Sequence, residues 1–270
     1  MTWLEIHRGD APLVVSFPHT GTEIPPEIEA RLVSPWLARH DADWWIHRLY
    51  DFARDLGATT VRTAISRSVI DVNRDPSGAS LYPGQATTEL CPTTTFDGEP
   101  LYLGAAPDAA EIARRRSLWF EPYHTALTAE LDRLQSHHGK VVLYDAHSIR
   151  SRIPRLFDGE LPNFNIGTHS GASCDPALTG AVEAACDASG RWSRVTNGRF
   201  KGGWTTRHYG KPGYGVHAIQ MELACRGYMD DPAEPPTPAT WPAAYRPDQA
   251  DAMRAALTDV AKACLAFAQT

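Results

Sequence analysis

Apolar positions along this chain fall into short runs and helical repeats, separated by polar, proline-rich or glycine-rich stretches. Residues 13–17, LVVSF, form a compact apolar run ending in Pro18-His19-Thr20-Gly21. That is the pattern of a buried strand feeding a loop, with His19 at the strand's C-terminal end. Between residues 35 and 56 the positions Leu37, Trp44, Ile46, Leu49, Phe52 and Leu56 recur near helical spacing before Gly57, so the pattern predicts a helix. Residues 59–65 are β-prone, and Val69-Ile70-Asp71-Val72-Asn73 reads as another extended stretch running into Arg74-Asp75-Pro76. The segment 77–107 is rich in Pro, Gly and Thr without a clear period. It is expected to be a long surface excursion of the kind that walls a cleft.

The strongest helical pattern covers residues 108–137, with Asp108-Ala109-Ala110-Glu111 as a capping pattern and Gly139 as a stop. Residues 140–144, KVVLY, then predict a buried strand whose exit carries Asp145-Ala146-His147-Ser148, repeating the layout around His19. Short strands are expected at 163–168 and around Val195, with a helix over 176–189 between them. An extended segment over 216–223 carries Glu222, and a closing helix spans 248–268. Strands alternating with helices predict a single α/β domain with a mixed, largely parallel sheet flanked by helices, its ligand sites beyond the strands' C-terminal ends.

A hydrophobic fraction of 43% and a charged fraction of 21% are those of a folded globular chain. The net charge of -6 gives no general attraction to phosphate backbones or anionic lipid, so a small molecule is the expected partner rather than nucleic acid or membrane. Arginines focused in one cleft can still bind an acidic substrate. The first ten residues lack a basic segment followed by an apolar stretch, and no apolar run reaches the roughly 20 residues of a membrane span, which leads to a cytoplasmic expectation. Five widely spaced cysteines without a C-x-x-C pair suit reduced thiols, so any metal is expected to have nitrogen and oxygen ligands. Oligomeric state is not legible.

Two histidines at similar strand exits, His19 and His147, are what a zinc site on a rigid scaffold needs, and a carboxylate should complete the set. Glu23, Asp41 and Asp43 are the candidates, and spacing does not choose among them. Each histidine alone reads more readily as a hydrogen-bonded loop residue, and it is the pair in similar settings that brings the metal reading level with it. Asp145, two residues before His147, shares its side if the strand continues and can then hold the imidazole from behind. Arg67, Asn73 and Arg74 cluster where a substrate carboxylate could be gripped, or where ordinary surface ion pairs form. The glycine-rich segment 198–210, which includes Arg207, has the composition of a substrate-closing loop or of a plain hairpin. Glu222, a charge inside Ala218-Ile219-Gln220-Met221-Glu222-Leu223, points to function because buried carboxylates are rare unless paired or functional.

Taken together, Pro18-His19-Thr20-Gly21, Asp41-Ala42-Asp43-Trp44, Arg67 with 70–76, Asp145-Ala146-His147-Ser148, Gly202-Gly203 and Gln220-Met221-Glu222-Leu223 resemble the N-formylglutamate deformylase (amidohydrolase) family, in its histidine-degradation branch. That family is distantly similar to the zinc carboxypeptidases, where a histidine and an acid, an Asn-Arg pair, an Asp-x-His-Ser and a late Glu follow in this order. The resemblance implies a zinc-carboxypeptidase-like fold and hydrolysis of N-formyl-L-glutamate to formate and L-glutamate. It implies His19 and His147 as zinc ligands, Asn73 and Arg74 as carboxylate binders with Arg207 as a further one, Glu222 as general base and Arg67 on the scissile carbonyl. The carboxypeptidase acid three residues after the first histidine is missing, since position 22 is Thr; the Asp-x-Asp-Trp segment makes Asp43 the favoured third ligand, ahead of Glu23 and Asp41.

Three other readings remain: a different N-acyl amino acid amidohydrolase, a carboxypeptidase-like peptidase, and a non-catalytic carboxylate-binding protein. A G-x-S-x-G elbow and a G-x-G-x-x-G fingerprint are both missing, which argues against a serine hydrolase and a Rossmann oxidoreductase.

Overall fold

The computed structural model describes residues 2–231 and 236–270. Among them, seven strands form one mixed sheet in the order β1-β3-β2-β4-β7-β5-β6. The strands are β1 Leu4–His7, β2 Leu13–Phe17, β3 Thr59–Thr63, β4 Val141–Ile149, β5 Phe164–Gly167, β6 Arg194–Thr196 and β7 Val216–Ala224. The pairs β2–β3, β2–β4, β4–β7 and β5–β6 are parallel, whereas β1 and β5 run antiparallel to β3 and β7. The helices are α1 Pro26–Glu29, α2 Ile46–Leu49, α3 Ala109–Arg115, α4 Glu121–His138, α5 Pro176–Ala188, α6 Trp204–Tyr209 and α7 Pro247–Ala268. No helix of the described residues is long and apolar enough to cross a membrane. All five cysteines are buried and unpaired.

Alternation along the central strands divides the core in two. Val15, Val142, Tyr144, Ala146, Ile219 and Met221 pack on the face that α5 and α7 cover, while Val14, Leu143, Val141 and Ala218 join the cluster containing Tyr123, Leu127, Leu131 and Leu134 of α4. The second face changes chemistry along its length. The apolar Val141 and Leu143 of β4 give way to Asp145 and His147, and Ala218 of β7 gives way to Gln220 and Glu222. On β2, Val14 gives way to Ser16. One side of the sheet is therefore core at the strands' N-terminal halves and polar at their C-terminal halves.

Four local expectations are corrected. The stretch 35–56 is not one helix: it breaks into 3-10 turns at Leu37–Arg39 and Asp51–Ala53 around α2, with Trp45 at φ 65°. A continuous helix would carry Asp43 away from the sheet, whereas here the Asp43 amide donates to the His19 carbonyl at 2.9 Å. Residues 69–73 form turns rather than a strand, because Asp71 turns back to accept the Asn73 amide at 2.9 Å while Val69, Ile70 and Val72 enter the core. His147 does not sit beyond its strand, since β4 runs on to Ile149. The predicted helix over 108–137 begins as expected, with Asp108 accepting the Glu111 amide at 2.8 Å, but π-helical hydrogen bonding over Arg116–Phe120 divides α3 from α4. The segment 77–107 contains neither named strand nor helix.

Candidate functional site

The polar half of that sheet face is the floor of a pocket enclosing about 610 Å³ of space, part of it open to solvent, with His19, Arg67, Asn73, Arg74, His147 and Glu222 among its lining residues. Strand register builds the floor. Parallel pairing of β4 with β7 sets His147 opposite Glu222 and Asp145 opposite Gln220, and pairing of β2 with β4 sets Ser16 opposite Asp145. Period-2 alternation then turns all of these side chains to one face.

Metal-ligating atoms of His19, Asp43 and His147 lie within 4.8 Å of one another, and all three residues are buried. Asp43 Oδ2 is 3.8 Å from His19 Nδ1 and 3.1 Å from His147 Nδ1. The opposite ring nitrogens face carboxylates: His19 Nε2 donates to Asp71 Oδ1 at 2.6 Å, and His147 Nε2 donates to Asp145 Oδ2 at 2.9 Å. Each acid thereby fixes the tautomer that leaves Nδ1 turned to the cluster, the outer support that metal-binding histidines carry. Two imidazoles and a carboxylate with fixed outer partners suit zinc and leave a coordination position for water or substrate.

The charges around the cluster hold one another. Burial drives the His19 imidazole below its ordinary affinity, with Arg67 adding to the effect, which favours a neutral ring. Burial opposes ionisation of Asp43, but His147, His19 and Arg67 outweigh it and hold the carboxyl low. For Asp71 the same burial is overcome by Arg74, His19 and Arg67. His147 is raised despite its burial because Asp145, Asp43 and Glu222 surround it. Arg67 donates to Asp71 at 2.8 Å and to His19 Nδ1 at 3.2 Å, stands 3.6 Å from Asp43, and lies 4.7 Å over the Phe96 ring.

Glu222 is 7% exposed, and burial pushes its carboxyl up to about 8. Gln220 Nε2 donates to it at 3.3 Å, while the Gly203 amide donates to Gln220 Oε1 at 2.7 Å and so fixes which end of the amide faces the acid. Gly203 has a second constraint. A Cβ there would stand 2.4 Å from Asn73 Nδ2, so only glycine lets this backbone approach.

The structure separates the three candidate acids. Asp43 is beside both histidines, whereas Glu23 is exposed on an isolated bridge to Ile65. Asp41 accepts the Phe96 amide at 2.7 Å and pairs with His40 at 3.0 Å. That His40-Asp41-Asp97 group already holds a cation, because Arg150 donates to Asp97 at 2.5 Å.

Asn73 lines the pocket with its amide committed: Nδ2 donates to Asp145 at 3.1 Å and Oδ1 accepts the Thr205 amide at 2.8 Å. Arg74 lines the same wall and donates to the Thr88 carbonyl at 2.9 Å and hydroxyl at 3.0 Å. Arg207 is absent from the described pocket lining, and its guanidinium donates to the Gly202 and Leu81 carbonyls at 2.8 and 3.1 Å. The segment 198–210 is a pocket wall leading into α6 rather than a hairpin. From 77–107, Tyr82, Ala86, Thr87, Thr88 and Phe96 form another part of the wall. Sequence reasoning gave no role to Asp71, Gln220 or Arg199, all of which the fold brings here. Asp71 carried a usable signal, an acid inside the apolar run Val69-Ile70-Asp71-Val72, the same signal that singled out Glu222.

Comparison with known proteins adds to this geometry. A family model described as N-formylglutamate amidohydrolase matches residues 11–229. The chain is 49% identical over 265 residues to an N-formylglutamate deformylase of Pseudomonas aeruginosa, covering 98% of this chain and 96% of the relative. An N-formylglutamate deformylase of Pseudomonas putida is 46% identical with the same coverage. Among solved structures, an N-formylglutamate amidohydrolase from Ralstonia eutropha JMP134 superposes with a TM-score of 0.77 at 24% identity, covering 98% of this chain and 97% of the other. A gene product of Agrobacterium tumefaciens superposes with a TM-score of 0.74 at 16% identity, covering 99% and 96%. These two likenesses show a shared fold.

Proposed function

The chain belongs to the N-formylglutamate amidohydrolase family, and on that footing we propose that it hydrolyses N-formyl-L-glutamate to formate and L-glutamate with zinc at His19, Asp43 and His147. The observation that carries the reading is the buried His-Asp-His cluster beside the raised carboxyl of Glu222, at the floor of a pocket walled by arginines. A bound zinc supplies Lewis-acid polarisation of a carbonyl and a water of lowered pKa.

The remaining work falls to side chains. Glu222 takes a proton from the attacking water and returns it to the amine nitrogen as the formyl C–N bond breaks, a double duty that suits a carboxyl with an affinity near neutrality. Arg67, fixed by Asp71, faces the pocket beside the cluster and stabilises the negative charge that develops on the formyl oxygen. Arg74 binds the α-carboxylate, and Asn73 contributes by holding Asp145 and the start of α6. The reaction fits the last step of a histidine degradation route, and a cytoplasmic setting accords with the reduced cysteines.

A substrate panel tests the activity. Zinc-supplied protein should release amino acid from N-formyl-L-glutamate, with kcat/KM at least 100-fold lower on N-formyl-L-alanine and N-acetyl-L-glutamate. Equal activity on all three would replace the reading with a broader N-acyl amino acid hydrolase. Turnover of none, with a short peptide cleaved instead, would replace it with a peptidase.

A further inference from the structure

We propose that Arg199 is the specificity-determining residue of this pocket, binding the side-chain carboxylate of an acidic N-formyl amino acid. The inference rests on the deformylase reading and deepens it. Three arginines line the pocket: Arg67, Arg74 and Arg199. The first two share an acid, since Arg67 is 2.8 Å and Arg74 3.7 Å from Asp71. Among the described residues, Arg199 makes no ion pair within 4.0 Å, although it is half-buried.

The guanidinium is nonetheless held in place. Its Nε donates to the Leu156 carbonyl at 2.7 Å and its Nη2 to the Ala86 carbonyl at 3.0 Å. It lies 5.4 Å from the centroids of both the Tyr82 and Phe200 rings. Tyr82 is fixed in turn, donating its hydroxyl proton to the Gly202 carbonyl at 3.1 Å while Arg207 packs 4.9 Å from its ring. Of the five guanidinium N–H groups, two are used by protein carbonyls. The other three, both on Nη1 and one on Nη2, have no acceptor among the described residues and can donate to a carboxylate.

Burial lowers the proton affinity of this guanidinium, and the like charge of Arg74 adds to the effect. Arg74 and Arg199 are both left short of negative charge, since Asp71 is shared between Arg67 and Arg74 and Arg199 has no acid within 4.0 Å among the described residues. A substrate bringing two carboxylates neutralises both. Arg74, next to the His19–Asp71 pair, is placed for the carboxylate adjacent to the scissile amide. Arg199, held from the Leu156 and Ala86 walls, is placed for the one at the end of the side chain. Arg207, the other arginine of this glycine-rich segment, acts on the backbone and on Tyr82 instead.

The experiment compares zinc-supplied wild type, Arg199→Gln and Arg199→Lys on N-formyl-L-glutamate and on N-formyl-L-glutamine, which has the same shape without the charge. Arg199→Gln should lower kcat/KM on N-formyl-L-glutamate by about 100-fold, the worth of a charge-assisted pair. It should change kcat/KM on N-formyl-L-glutamine by less than about 5-fold, and Arg199→Lys should recover part of the loss. Equal losses on the two substrates would show that Arg199 only supports the walls, and no loss on either would show that it does not touch substrate. Both results overturn the proposal while leaving the deformylase reading intact. A wild-type protein inactive on both formyl substrates would overturn that reading and this assignment with it.

Discussion

Burial and charge set the character of Glu222 more than its position in the sequence does. It is one strand away from His147 and faces the same side of the sheet, so the register that builds the sheet also delivers an acid to the cluster. Desolvation, the largest influence, pushes its carboxyl up to about 8 against the pull of His147 and Arg67. A proton affinity near the working pH lets one group both accept and return a proton. Glu222→Gln keeps the shape and a hydrogen-bonding partner for Gln220 but removes that exchange. The variant should bind zinc as wild type does and lose about 10²–10⁴-fold in kcat on N-formyl-L-glutamate, read by metal content and steady-state kinetics on the same preparation. Near-normal turnover would remove Glu222 from the mechanism. The sequence marked this residue because a lone acid in an apolar run stands out; Asp43 carried no such mark. Its histidine partner His147 lies 104 positions away, and pairing at that range is settled only when the chain folds.

The elements around the site show where pattern reading succeeds and where it stops. Strand β2 and the first half of β4 were legible as short, largely apolar runs, and β7 as an extended segment carrying Glu222, whereas the polar second half of β4 read as a strand exit. The 35–56 and 69–73 segments were misread because polar side chains inside them serve contacts with distant elements, which overrides local period. Helix α4 illustrates the opposite dependence, in which an element supports the site through one side chain. His124 Nε2 donates to the Val72 carbonyl at 2.8 Å, and Nδ1 accepts the Tyr209 hydroxyl at 3.0 Å, tying α4 to the turn that carries Asp71 and Asn73 and to the end of α6. Burial pushes this imidazole down to about 4, from an ordinary 6.5. The folded protein therefore resists a proton that the unfolded chain accepts. Stability from this residue is intact above about pH 6.5, falls as pH drops, and levels off below about 4, with a total near 3 kcal/mol. His124→Gln should show a shallower loss of stability than wild type between those limits, measured by urea unfolding at several pH values. Parallel curves for the two proteins would contradict this.

At the scale of the molecule, a single mixed sheet has helices on both faces, and the site occupies the C-terminal half of one face, where apolar alternation gives way to Asp145, His147, Gln220 and Glu222. The α/β class and the largely parallel sheet were legible, since they follow from the order of elements, but the pocket lies on the C-terminal halves of β4 and β7 rather than beyond the strand ends. Which arginine faces the pocket was not legible, because Arg199 and Arg207 share one glycine-rich segment and their directions depend on carbonyls supplied by distant loops. The central claim is that the buried cluster holds the metal on which hydrolysis depends. The most direct test is formate release from N-formyl-L-glutamate by protein stripped with a chelator and then titrated with zinc. Activity should be abolished by stripping, return in proportion to added zinc, and saturate at one equivalent per chain. Full activity in verified metal-free protein would contradict the account.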